Sequence, residues 1–169
     1  SYAGASAAAF VKYFPLANVF CFDINISNFK YRSKKIEVFD VDIKKEDQIK
    51  KTLNQIYKRF KIKEFDIIID DGSHNLSDIL LGLKFFFKLV KRKGLYIIED
   101  FKYPNNHLYN KNIEHVFVDE FLKNLEIKKL TRSNIITDVE QNNLMSTINK
   151  IENFKGNLVD SDICFITKI

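Results

Sequence analysis

Four short, largely apolar runs, each closing on acidic residues, constrain this chain more than any other feature. They are Asn18 to Phe22 before Asp23, Ile36 to Phe39 before Asp40, Phe65 to Ile69 before Asp70-Asp71, and Leu95 to Ile98 before Glu99-Asp100. Between them lie segments with apolar residues at helical spacing. Glu46 to Arg59 carries Ile49, Leu53 and Ile56, and Ile79 to Val90 carries Leu80, Leu83, Phe86 and Phe87. Strands that alternate with helices predict an α/β fold with a mostly parallel sheet. Such sheets bind ligands beyond the carboxyl ends of their strands. The acidic residues therefore share the edge where chemistry is expected.

The remaining segments are read around that frame. Ala7 to Phe14 is a short helix stopped by Pro15. Ser77 is the expected N-cap of the Ile79–Val90 helix, with Lys91, Arg92 and Lys93 at its C-terminal dipole and Gly94 just after it. Phe101 to Asn112 is a loop, Glu114 to Leu125 a helix, and Ile127 to Leu130 and Ile163 to Thr167 the last strands. Thr131 to Asn157 has no decisive pattern. Phe85-Phe86-Phe87 reads as core packing on a helix. With no repeat and no linker, one domain over residues 1–169 is expected. The chain opens inside a turn, so a first strand is expected upstream of Ser1.

Composition narrows the classes. The net charge is +5, but the lysines are scattered along helix faces, so no nucleic-acid partner is expected. No apolar run approaches the ~20 residues of a membrane span, and no secretory signal is visible. Cys21 and Cys164 lie in apolar runs and read as buried thiols, which suits a cytoplasmic protein.

Asp70, Asp71, Glu99 and Asp100 close two neighbouring strands. Crowded carboxylates are costly without a positive charge between them, and oxygen ligands suit Mg²⁺, with Mn²⁺ or Ca²⁺ as options. The competing explanation is that they cap turns and helix ends. His74, three residues after Asp71, shifts the balance toward a general base beside a metal. Gly4 and Ser6 form a small-residue turn before a helix, suited to close approach by a cofactor. Asp23 is spaced to meet ribose hydroxyls, and Asp40, or Asp42, an adenine amino group. His107 and His115 read as bystanders. A nicotinamide dehydrogenase is disfavoured because Gly-x-Gly-x-x-Gly is absent after Gly4. A metal-dependent hydroxylase-like enzyme and a non-catalytic nucleotide-binding domain remain as rivals.

Ser1-Tyr2-Ala3-Gly4-Ala5-Ser6 and Phe22-Asp23-Ile24 resemble motif I and the second strand of class I S-adenosylmethionine-dependent methyltransferases. Asp70-Asp71-Gly72-Ser73-His74 and Gly94-Leu95-Tyr96-Ile97-Ile98-Glu99-Asp100 resemble one subgroup, the metal-dependent sugar O-methyltransferases of the mycinamicin and demethylmacrocin type. The resemblance covers Ser1 to Phe101 and implies a Rossmann-like methyltransferase fold, α/β with a mostly parallel sheet and helices on both faces. It implies Mg²⁺ on Asp71, Glu99 and Asp100, His74 as general base, and S-adenosylmethionine held at Gly4, Ser6, Asp23 and Asp40, with Asp70 in contact or in support. It implies a sugar or other small-molecule hydroxyl as acceptor, and leaves a homo-oligomer open. Phe39-Asp40-Val41 departs from the family's Gly-Asp-Gln, its Glu-x-Gly strand is not in this chain, and a cephalosporin-hydroxylase-like group shares the carboxylate pattern.

Overall fold

The computed structural model describes residues 4–158 and 161–169. Ser1, Tyr2 and Ala3, which open the motif I resemblance, lie outside them. Two compact units divide the chain at Lys61 and Ile62.

The first unit holds helix α1 (Ala5–Tyr13), strand β1 (Val19–Asp23), strand β2 (Ile36–Asp40) and helix α2 (Glu46–Phe60). β1 and β2 pair in parallel, from Val19 opposite Ile36 to Asp23 opposite Asp40. The apolar runs therefore become strands, and their terminal aspartates sit side by side. The Phe20 and Phe60 rings meet edge-on at 5.2 Å, packing α2 against β1. Glu46 and Asp47 in its first turn and Lys58 and Arg59 in its last complement the dipole of α2.

The second unit holds strand β3 (Phe65–Asp70), helix α3 (Leu76–Phe86), strand β4 (Val90–Glu99), helices α4 (Val118–Glu126) and α5 (Asp138–Thr147), and strands β5 (Ile148–Phe154) and β6 (Ile163–Lys168). The sheet order is β3-β4-β6-β5. β3 and β4 are parallel, while β6 runs antiparallel to both β4 and β5. Three of the four strands thus share one direction and β6 alone opposes them. Tyr96, Ile98, Cys164, Ile166 and Ile151 on one sheet face pack with Leu80 and Leu83 of α3, Phe121 and Leu122 of α4, and Leu144 of α5. Burial of this cluster is the main stabilising term of the unit. Phe87 is fully buried and Phe86 packs against the cluster, whereas the Phe85 ring lies beneath Lys88.

Several sequence expectations need correction. Lys91 to Gly94 do not end a helix; they belong to β4. The pairing steps from Phe65–Val90 to Ile67–Leu95, so β4 carries extra residues in a bulge there. Gly94 is needed for close approach, since a Cβ would fall 2.7 Å from the Asp66 carbonyl oxygen. Lys91 Nζ bonds the Asp66 carboxylate at 2.9 Å. Asn75, not Ser77, is the N-cap of α3, and the Ser77 hydroxyl donates to Asp78 instead. Ile127 to Leu130 is not a strand. It winds off the end of α4, with Lys128 at φ 56° and the Lys129 N–H bonded to the Asn124 carbonyl. The helix expected from Glu114 begins only at Val118, because Glu114 turns inward as an acceptor. Thr131 to Asn157 supplies α5 and β5. Both cysteines are free thiols, and burial pushes Cys164 up to about 12. Among the described residues no helix is long and apolar enough to cross a membrane.

Candidate active site

The site residues predicted from sequence fall into two groups, one in each unit. In the second unit, β3 delivers Asp70 and then Asp71, and parallel β4 delivers Glu99 and then Asp100 at the same sheet edge. The turn between β3 and α3 carries His74. Its Nε2 stands 3.8 Å from Asp71 Oδ1 and 3.8 Å from Asp100 Oδ2. His74 (φ 55°) and Asp100 (φ 50°) both adopt left-handed backbone, uncommon for residues with a Cβ. Such conformations cluster where geometry serves function.

The electrostatics are those of a crowded acidic edge. Burial raises the Glu99 carboxyl above its usual range, and the negative charges of Asp71 and Asp100 raise it further, with His74 opposing. Asp70 is pushed up to about 6 by burial, against hydrogen bonds from the Tyr96 hydroxyl and the Gly72 N–H that favour its charged form. Its carboxylate therefore points into the protein and braces the turn that presents Asp71. Gly82 of α3 leaves room for this pair: a Cβ there would lie 2.5 Å from Asp70 Oδ2. Tyr96, fully buried, is the partner of Asp70 and was not singled out in the sequence. Its only sequence signal is a tyrosine inside an apolar strand, whose hydroxyl requires a partner.

The donor set of Asp71, Glu99 and Asp100 is all oxygen, the chemistry of a hard divalent cation. The mutual repulsion felt by Glu99 is what such a cation relieves. Among the described residues, no three His, Cys, Asp or Glu side chains are arranged as a closed metal-binding group. The residue types fit the ion, while the side chains are not drawn together around a common centre.

In the first unit, Gly4 is the N-cap of α1 at φ 85°, a left-handed conformation that favours glycine. A Cβ there would meet the Phe29 ring at 2.7 Å, so the turn admits only glycine without displacement. Ser6 follows in the first turn of α1. Asp23 and Asp40 end the paired strands, and Asp23 Oδ1 accepts the Asn25 N–H at 2.9 Å.

Beside the His74 turn, the segment after Asp100 forms two 3₁₀ turns, Tyr103–Asn106 and Leu108–Asn112. His107, expected to be a bystander, lies 4.9 Å from the Tyr103 ring and 5.5 Å from the Tyr109 ring. The His115 N–H donates to the Glu114 carboxylate at 3.0 Å.

The fold is comparable with solved structures. MycE Methyltransferase from the mycinamycin biosynthetic pathway, in complex with Mg and SAH, superposes with a TM-score of 0.67 over 99% of this chain and 41% of its own, at 22% identity. The same enzyme in complex with Mg, SAH and mycinamycin VI gives 0.64 over 99% and 40%, at 19% identity. The chain has a Rossmann-like methyltransferase fold. It spans about two-fifths of the length of MycE. No protein-family model and no curated protein sequence matches it.

Proposed function

We propose that this chain is the core of an S-adenosylmethionine-dependent, divalent-metal-assisted O-methyltransferase acting on a hydroxyl of a sugar or glycosylated small molecule. The observation that carries the reading is His74 placed equally close to Asp71 and Asp100, with Glu99 on the same strand end. The fold shared with MycE supports the cofactor class, and MycE itself is described with Mg, SAH and mycinamycin VI.

Asp71, Glu99 and Asp100 would hold Mg²⁺, and Gly4, Ser6, Asp23 and Asp40 would hold S-adenosylmethionine. When bound, the metal supplies positive charge that acidifies a hydroxyl, and the sulfonium supplies an electrophilic methyl group. His74 accepts the proton of the acceptor hydroxyl. The negative charges of Asp71 and Asp100, 3.8 Å from Nε2, favour the imidazolium that results. Asp70, held by Tyr96, keeps the turn that carries Asp71 and His74 in place. Positioning of this kind accounts for much of the rate in such transfers.

The test is transfer of a labelled methyl group from S-adenosylmethionine to glycoside acceptors, with Mg²⁺ and with EDTA. The reading predicts Mg²⁺-dependent transfer, slowed ~10²- to 10⁴-fold in His74→Ala. Transfer that ignores EDTA and survives His74→Ala would refute it. A hydroxylase-like enzyme on the same carboxylates would give no labelled product.

A further inference from the structure

We propose that Tyr103, His107 and Tyr109 form an aromatic platform that binds the pyranose ring of a glycoside acceptor beside His74. The inference rests on the proposal that the His74 cluster is where the acceptor reacts, and it names what holds the rest of that acceptor.

The rings make a continuous series that starts at the proposed base. His74 meets Tyr103 edge-on at 6.1 Å (ring planes 63° apart), Tyr103 meets His107 edge-on at 4.9 Å (60°), and His107 meets Tyr109 at 5.5 Å with ring planes 33° apart, so the rings of His107 and Tyr109 come nearest to sharing a face. The Tyr109 hydroxyl donates to Asn75 Oδ1 at 3.4 Å, which ties the far end of the series to the residue after His74. All these residues belong to the second unit.

These rings are not core. Tyr103 is 36% exposed and Tyr109 52% exposed. Nor is the segment that carries them loose. Pro104 and Asn110 face inward and are buried, and Asn110 Nδ2 donates to the Pro104 carbonyl at 2.9 Å. The backbone is tied at Tyr103 N–H to Asp100 carbonyl, His107 N–H to Pro104 carbonyl and Asn110 N–H to His107 carbonyl. Buried anchors alternate with exposed rings, so the rings are presented without the entropy cost of ordering them on binding.

The chemistry of the rings selects the ligand. Each has an apolar face and a polar rim, namely a phenol hydroxyl or an imidazole nitrogen. A pyranose has the matching form, with an apolar C–H face and a hydroxyl rim.

The experiment is an NMR titration of the protein, in Mg²⁺, with methyl pyranosides of galactose, mannose, glucose and rhamnose, following ring resonances of His107 and the tyrosines. The platform predicts that at least one glycoside shifts them. Tyr109→Ala should then weaken binding about three- to tenfold, while Tyr109→Phe, which keeps the ring and loses only the hydroxyl, should weaken it less. His107→Ala should weaken it similarly. Equal affinity in wild type, Tyr109→Ala and His107→Ala would overturn the inference, as would binding of catechol but of no pyranoside. Labelled methyl transfer in the same samples separates the two proposals. Ring shifts without transfer would sink the methyltransferase reading and leave the platform standing. Transfer with an unchanged KM in the ring variants would do the reverse.

Discussion

The Tyr96 hydroxyl donates to Asp70 Oδ2 at 3.2 Å, from β4 to the neighbouring β3. Tyr96 has no solvent exposure, so this carboxylate is the partner that satisfies a buried phenol. The pair lies one residue before Asp71 and sets the start of the turn that carries His74. Burial, and then the Asp70 charge, hold the Tyr96 hydroxyl well above its usual pKa, so it remains a donor.

Gly82 makes room for this pair. An added Cβ would lie 2.5 Å from Asp70 Oδ2 and 2.9 Å from the Tyr96 hydroxyl. Gly82→Ala is therefore expected to destabilise the protein by about 1–3 kcal/mol, outweighing the gain in helix propensity. Urea denaturation reads this as a lower midpoint. An unchanged or higher midpoint would show that the pair is not packed as described.

Glu114 is a second buried carboxylate. It accepts from the Ser133 hydroxyl at 2.7 Å and from the Asn134 N–H at 2.9 Å, and also from the Ile135 and His115 N–H groups. Glu114→Ala strands these donors, so a loss of about 1–3 kcal/mol is expected. Amide exchange at Asn134 and Ile135 should quicken more than at residues of the sheet. Uniform quickening, or none, would contradict this role.

Thr137 and Glu140 form a reciprocal cap on α5. Burial works to raise the Glu140 pKa. The Thr137 N–H, the Lys84 ammonium and the Thr137 hydroxyl outweigh it and leave the carboxyl lowered. A lowered acid contributes stability above its unfolded pKa of about 4.3 and loses it as pH falls through the folded value. Glu140→Gln should therefore lower the denaturation midpoint at pH 7, and the gap to wild type should narrow as pH falls below the unfolded value of about 4.3 and close below the lower folded value. Thr137→Ala should cost about 1 kcal/mol. A gap for Glu140→Gln that is constant with pH would rule out the ionised cap.

Much of this was legible in the sequence because it rests on local pattern. The runs before Asp23, Asp40, Asp70 and Glu99 became strands, and their acids came to strand ends, since parallel pairing aligns equivalent ends. The errors fall where long-range packing overrides local signals. Lys91-Arg92-Lys93-Gly94 looks like a helix end by composition, yet Gly94 serves a close strand approach to Asp66. Glu114 looks like a helix-face residue, yet its partners lie some twenty residues further along the chain. His107 shows no motif, because its ring contacts depend on two 3₁₀ turns that no periodicity marks.

Asp71, Glu99 and Asp100 are proposed to hold a divalent cation beside His74. Electron paramagnetic resonance of added Mn²⁺ counts protein-bound and free ions separately. One bound Mn²⁺ per chain is expected in wild type and in His74→Ala, with that ion lost in Asp71→Asn and Asp100→Asn. No bound ion in wild type, or equal binding in the aspartate variants, would contradict it.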